Sequence, residues 1–265
     1  MQTLKATLLA LTGLAIAAPV LADAPVRSVG YASLSGPVVS FEDLTLADPG
    51  GSLLEGIVNS GGVQFGERFA GQELAIAKAP RPGSALPAQD WFDDLRYGSP
   101  VAGLVLLAGD AGANLGGYDY GDANHQALAG VGPQNSDGSD PFGMGAISAR
   151  FSTPVSALGL LLRETDGGDA WLSLYRSDGS LIQTLSLGPL QDGTVAFERS
   201  DGSADIAGFT LYHRDSYYGI AIDNLVLASA VPEPAGAWLW AAGLIGLAAL
   251  RSPRRTASVA GTTCR

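Results

Sequence analysis

The chain has 265 residues, with 15 Lys and Arg against 26 Asp and Glu and a formal net charge of −11. This acidity argues against a nucleic-acid partner, because binding phosphates depends on a basic patch. The one cysteine, Cys264, has no partner within the chain, so stability must come from core burial rather than from a disulfide staple.

Residues 1–22 read as a secretory signal peptide. Lys5 sits in a short n-region, an apolar segment runs from Leu8 to Ala18, and small residues at Val20 and Ala22 predict cleavage after Ala22. Residues 23–230 then form one sizeable domain. That piece carries 10 Lys and Arg against 25 Asp and Glu, a net charge of −15 with neutral histidines. Such charge favours solubility and attracts divalent cations.

The domain reads as all-β. Between residues 25 and 230 no long stretch has helical amphipathicity, and Gly, Ser and Asn interrupt every few residues. Strands are predicted at 38–41, 74–77, 101–107, 146–151, 157–163, 194–197, 206–213 and 219–228. The clearest unit is Ala170 to Arg176, a Ser177-Asp178-Gly179-Ser180 turn, and Leu181 to Leu187, because Asp-Gly supplies the positive φ of a tight hairpin. Residues 127–141 are expected to be a long loop. Short strands with Gly-rich turns indicate an antiparallel sandwich or barrel.

Two kinds of side chain suggest sites within this body. Tyr118, Asp119 and Tyr120 pair aromatic faces with a carboxylate, the combination that stacks on sugar rings and accepts their hydroxyls. The competing expectation is that these tyrosines pack at the rim of the core, and that Trp91, Trp171 and Tyr175 lie within it. The acidic loops at 137–140 and 166–169 lack EF-hand spacing and read as turns. Catalytic signatures are missing: His125 and His213 form no metal-binding pair, and neither a nucleophile elbow nor a P-loop is present. His213 is expected on a solvent face. A noncatalytic protein is the expectation.

The domain ends at Val231-Pro232-Glu233-Pro234, since two prolines break both ladder and helix. An uncharged run follows at 235–250, with Trp238 and Trp240 near one end and Arg251, Arg254 and Arg255 beyond the other. These features suit the two interfaces of a membrane. Its sixteen residues are fewer than the roughly twenty that span a bilayer comfortably. Residues 231–255 thus read as a membrane-anchor segment, and 256–265 as a short tail. This ordered tail resembles the PEP-CTERM sorting signal of Gram-negative bacteria, on Pro232, Glu233, Pro234, the apolar run and the arginines. The resemblance implies recognition by an exosortase, export across the inner membrane, tail removal, and delivery to the cell surface or exopolysaccharide matrix. The alternative is an ordinary C-terminal membrane anchor.

A second resemblance concerns the body. Ser40-Phe41-Glu42-Asp43 and Gly219 to Leu227 are similar to the first and last strands of jelly-roll carbohydrate-binding modules, and the segments 154–162 and 171–179 to their central hairpin. The resemblance implies a jelly-roll-like β-sandwich in which Glu42 and Asp223 share a structural calcium ion with backbone carbonyls. Calcium takes six to eight oxygen ligands, and a carboxylate beside Ile220, Ile222 and Leu225 is costly to bury unpaired. Otherwise Glu42 and Asp223 cap turns or face water. The expected role is an exported surface or matrix protein that binds exopolysaccharide. The alternatives are a carbohydrate-active hydrolase and a purely structural biofilm or envelope component.

Overall fold

A computed structural model describes residues 26–81, 89–121, 126–133, 141–216 and 219–229. The signal segment at 1–22 and the sorting tail from Val231 onward lie outside the described residues, as does His125. The described chain is all-β. Its strands are β1 (Val26–Ser28), β2 (Val38–Val39), β3 (Ser52–Leu54), β4 (Val58–Ser60), β5 (Val63–Gly66), β6 (Arg68–Phe69), β7 (Glu73–Pro80), β8 (Gln89–Tyr97) and β9 (Leu106–Leu107). The second half adds β10 (Leu115–Asp119), β11 (Gln126–Gly130), β12 (Ile147–Val155), β13 (Ala157–Arg163), β14 (Asp169–Tyr175), β15 (Leu181–Ser186), β16 (Gly193–Arg199), β17 (Ile206–Arg214) and β18 (Ala221–Ala228).

Two antiparallel sheets face each other. The eight-stranded sheet runs β1-β16-β13-β18-β11-β10-β3, with β2 also paired to β18, and the six-stranded sheet runs β15-β14-β17-β12-β5-β4. From β11 to β18 the chain keeps changing sides: β11, β13, β16 and β18 lie in one sheet, and β12, β14, β15 and β17 in the other. Only the step from β14 to β15 stays within one sheet, and it is the hairpin that the Asp-Gly turn predicts. Gly179 there has φ +85°, and Asp178 Oδ1 accepts the Ser180 N–H at 2.9 Å.

Alternation then builds the core. Leu158, Leu160 and Leu162 of β13 and Ile222, Leu225 and Leu227 of β18 meet Ala170, Leu172 and Leu174 of β14 and Phe209 and Leu211 of β17. Each buried leucine contributes roughly 2 kcal/mol. Small layers cover the outside. The β6–β9 ribbon closes a second cluster of Phe69, Leu104, Tyr175 and Ala207 over the six-stranded sheet. The β7–β8 hairpin packs Phe92 edge-on against His213, with ring centroids 5.6 Å apart.

Several sequence expectations are corrected. Ser40 to Asp43 is not a strand: β2 stops at Val39, and Phe41 has φ +62° in a turn that drives its ring into the core. The segments 154–162 and 171–179 do not form a hairpin, because β13 and β14 belong to opposite sheets. The run 101–107 is mostly a turn around Gly103 and Leu104, both at positive φ, with only Leu106–Leu107 in a ladder. Part of the expected 127–141 loop is strand β11. His213 is buried rather than solvent-facing, while Trp171 is half-buried on an outer face rather than in the core.

Candidate functional site

Asp223 lies on β18 opposite Leu161, beside a register shift in the β13–β18 ladder. The next residue, Asn224, has φ +46°, so the strand is locally re-aimed there, as bulges do. Asp223 is fully buried. Its Oδ2 accepts from Arg163 Nε at 3.2 Å and Nη2 at 3.1 Å, and its Oδ1 accepts the Asn224 N–H at 2.6 Å. Burial pushes its carboxyl above the usual range against the opposing pull of these partners, and the charge of Glu42 adds to the rise. Glu42 lies close enough to Asp223 for its charge to act there. Its Oε1 accepts the Gln126 N–H at 2.9 Å, which ties the 41–44 turn to β11. The Gln126 side-chain amide, with its nitrogen toward that turn, donates to Phe41 O at 2.9 Å and Leu44 O at 3.2 Å. Tyr31 donates its hydroxyl to Asn224 O at 2.6 Å.

This corner joins two carboxylates, one guanidinium and backbone carbonyls. A calcium ion there would compete with Arg163 for Asp223 Oδ2, and with the Gln126 amide for the carbonyls. Among the described residues no group of three or more His, Cys, Asp or Glu side chains gathers around a metal-sized space.

The tyrosine segment belongs to the same corner. Tyr118 and Asp119 lie on β10, opposite Ala127 and Gln126. Tyr118 packs edge-on against Phe142, with centroids 5.3 Å apart, and Arg163 lies over the Tyr120 ring at 5.0 Å. Burial, helped by the nearby Glu164 carboxylate, pushes the Tyr120 hydroxyl far above its ordinary range. Asp119 Oδ1 accepts the Gly121 N–H at 2.8 Å, as in an Asx turn. Both rings are half-buried, and their contacts match the rim-packing expectation. The two predicted sites are thus neighbours, linked through Arg163.

Reading the sequence for single motifs missed the outer face of the six-stranded sheet. Trp171 of β14 stacks on Tyr212 of β17 at 5.4 Å and 21°. Arg214 lies 5.8 Å from the Trp171 ring and bonds Asp94 Oδ2 through Nη2 at 2.7 Å. Beside them is a groove of about 190 Å³, lined in part by Arg96, Tyr97, Ser173, Thr184 and Tyr212. The available signal was alternation: Trp171 and Ser173 must point away from Leu172 and Leu174. A larger groove of about 600 Å³ runs along the other sheet between Tyr31, Leu34, Val38 and Val226.

The buried ionisable groups serve packing. His213 Nε2–H donates to Gly143 O at 2.5 Å, and Nδ1 accepts the Asp215 N–H at 3.1 Å, which leaves the imidazole neutral. Burial pushes its pKa down to about 3. Asp93 Oδ2 accepts the Ala146 N–H at 3.1 Å, and burial raises its pKa to about 6. In the 166–169 loop, the N–H groups of Asp166 and Gly168 donate to Asp215 at 2.7 and 2.6 Å, which is turn chemistry. The 137–140 segment lies outside the described residues.

Comparison with protein families, curated proteins and solved structures finds no match to this chain. Among the described residues no helix is long and apolar enough to cross a membrane.

Proposed function

We propose that this is an exported, noncatalytic surface or matrix protein that binds exopolysaccharide and is sorted by an exosortase acting on its PEP-CTERM-like tail. The carrying observation is the order of that tail: Pro232-Glu233-Pro234, the apolar run 235–250, then Arg251, Arg254 and Arg255. The repeated crossing of β11 to β18 between two sheets supports the jelly-roll reading and the likeness to carbohydrate-binding modules. The neutral, enclosed His213 supports a binding role over acid–base chemistry. A structural calcium ion shared by Glu42 and Asp223 belongs to the same proposal.

Glycan-array binding by the full chain, without release of reducing sugar, is the expected result. Sugar release abolished by one carboxylate substitution would make the protein a hydrolase instead. No glycan affinity, together with loss of matrix cohesion on deletion, would make it a structural component.

A further inference from the structure

The groove beside Trp171 and Tyr212 differs in charge from the rest of the molecule. The domain as a whole carries a large negative excess, yet Arg96, which lines the groove, and Arg214 beside it flank one carboxylate. Arg214 bonds Asp94, and Arg96 Nε lies 3.9 Å from the same carboxylate. The two guanidinium side chains are 45% and 53% exposed, while Asp94 is only 12% exposed. Asp94 is thus the enclosed member of this trio, and the two guanidinium groups are its solvent-facing members. Guanidinium groups present five N–H donors in a planar fork that suits carboxylates.

Apolar and hydroxyl surfaces adjoin this charge. Tyr97, at the end of β8, is 63% exposed, and Leu181 on the opposite side is 48% exposed. Between them the floor carries Ser173 and Thr184, whose hydroxyls bond each other at 2.9 Å. The Arg214–Trp171–Tyr212 stack holds the arginine end in place. At about 190 Å³ the space is smaller than the roughly 300–1,000 Å³ of pockets that enclose a whole ligand. It suits one unit of a longer chain.

We infer that this groove binds a uronate unit of an acidic polysaccharide, the sugar ring lying against Tyr97 and its carboxylate meeting Arg96 and Arg214. The inference rests on the glycan-binding reading above and adds the ligand class and the place. Its test is calorimetric titration of the full chain in mild detergent with oligogalacturonate, and with a neutral cello-oligosaccharide of equal length. Oligogalacturonate is expected to bind more tightly than the neutral chain, and to lose about tenfold or more of its affinity in Tyr97→Ala and in Arg96→Gln. Both side chains are exposed, so the melting midpoints should hold. Binding should also weaken in about 1 M salt, where screening acts within about 3 Å.

Equal affinity for the neutral chain, or unchanged affinity in both variants, overturns the groove assignment while glycan binding stands. Failure to bind any glycan, on the array and in the calorimeter alike, removes the reading beneath it.

Discussion

Replacing Arg163 by methionine is expected to destabilise the fold by about 3–5 kcal/mol, because it leaves Asp223 buried without its counter-charge. Asp223 is fully buried and both guanidinium bonds fall on its Oδ2. Without them, only the Asn224 N–H remains among its described hydrogen bonds. The methionine retains most of the aliphatic stem under Tyr120, so the loss reports charge rather than packing. Adding Asp223→Asn to the same chain is expected to restore much of the stability, since a neutral amide needs no counter-ion. Denaturant melts of the single and double variants measure both steps. A single variant within about 0.5 kcal/mol of the parent, the range of an ordinary surface change, would show that the pair carries little.

The same variants examine calcium. An ion shared by Glu42 and Asp223 competes with Arg163, so millimolar calcium is expected to raise the melting midpoint of Arg163→Met more than that of the parent, and a chelator to reverse it. Identical midpoints with calcium and with chelator, in both proteins, would overturn the proposed metal site.

Asp93→Asn is expected to stabilise the protein at neutral pH by up to ~3 kcal/mol, with the gain vanishing in acid. The Asp93 pKa is raised to about 6 from an ordinary 3.8, and one unit is worth about 1.4 kcal/mol. The sign follows from proton uptake. Between these two values the folded state holds the proton more tightly than the unfolded state does. Stability from this group is therefore gained as pH falls from about 6 toward 3.8 and lost as pH rises again. An amide cannot ionise, so variant and parent should converge at low pH and separate above 6.

His213 works in the opposite sense. Its pKa falls to about 3 from an ordinary 6.5, so the unfolded state takes the proton first, and stability is lost as pH drops below 6.5. In the parent the two groups offset each other between about pH 4 and 6. In the variant Asp93 no longer offsets His213, and the acid loss should be steeper. A stability difference between variant and parent that stays constant from pH 4 to 8 would contradict a buried, ionising Asp93.

Much of the fold was legible because alternation and burial coincide. β13 spans the predicted 157–163, and the β14–β15 hairpin follows its Asp-Gly turn. One strand that escaped notice, β10, has small side chains for a packing reason. A Cβ on Gly116 would meet the Phe142 ring at 2.1 Å, and one on Gly117 would meet Leu46 at 2.4 Å. β10 therefore reads locally as a loop, although its glycines make room for side chains lying across it. The opposite error occurred at 101–107, where an apolar run forms a turn that seats Leu104 in the second cluster.

The site was legible in part. The resemblance to jelly-roll modules marked Glu42 and Asp223 as worth pairing, but nothing local announced Arg163, which lies 60 residues from Asp223 in sequence. The Trp171–Tyr212 surface needs two strands in register, with Trp171 opposite Tyr212. Only the pairing of β14 with β17 brings those rings together.

The central claim is that this acidic β-sandwich works outside the inner membrane. Fractionation of the host cell, with mass spectrometry of both termini of the recovered protein, tests it most directly. The account predicts a surface or matrix species that begins at Asp23 and lacks the apolar run 235–250. Recovery from the cytosol of a chain that retains Met1 and the complete tail would contradict it.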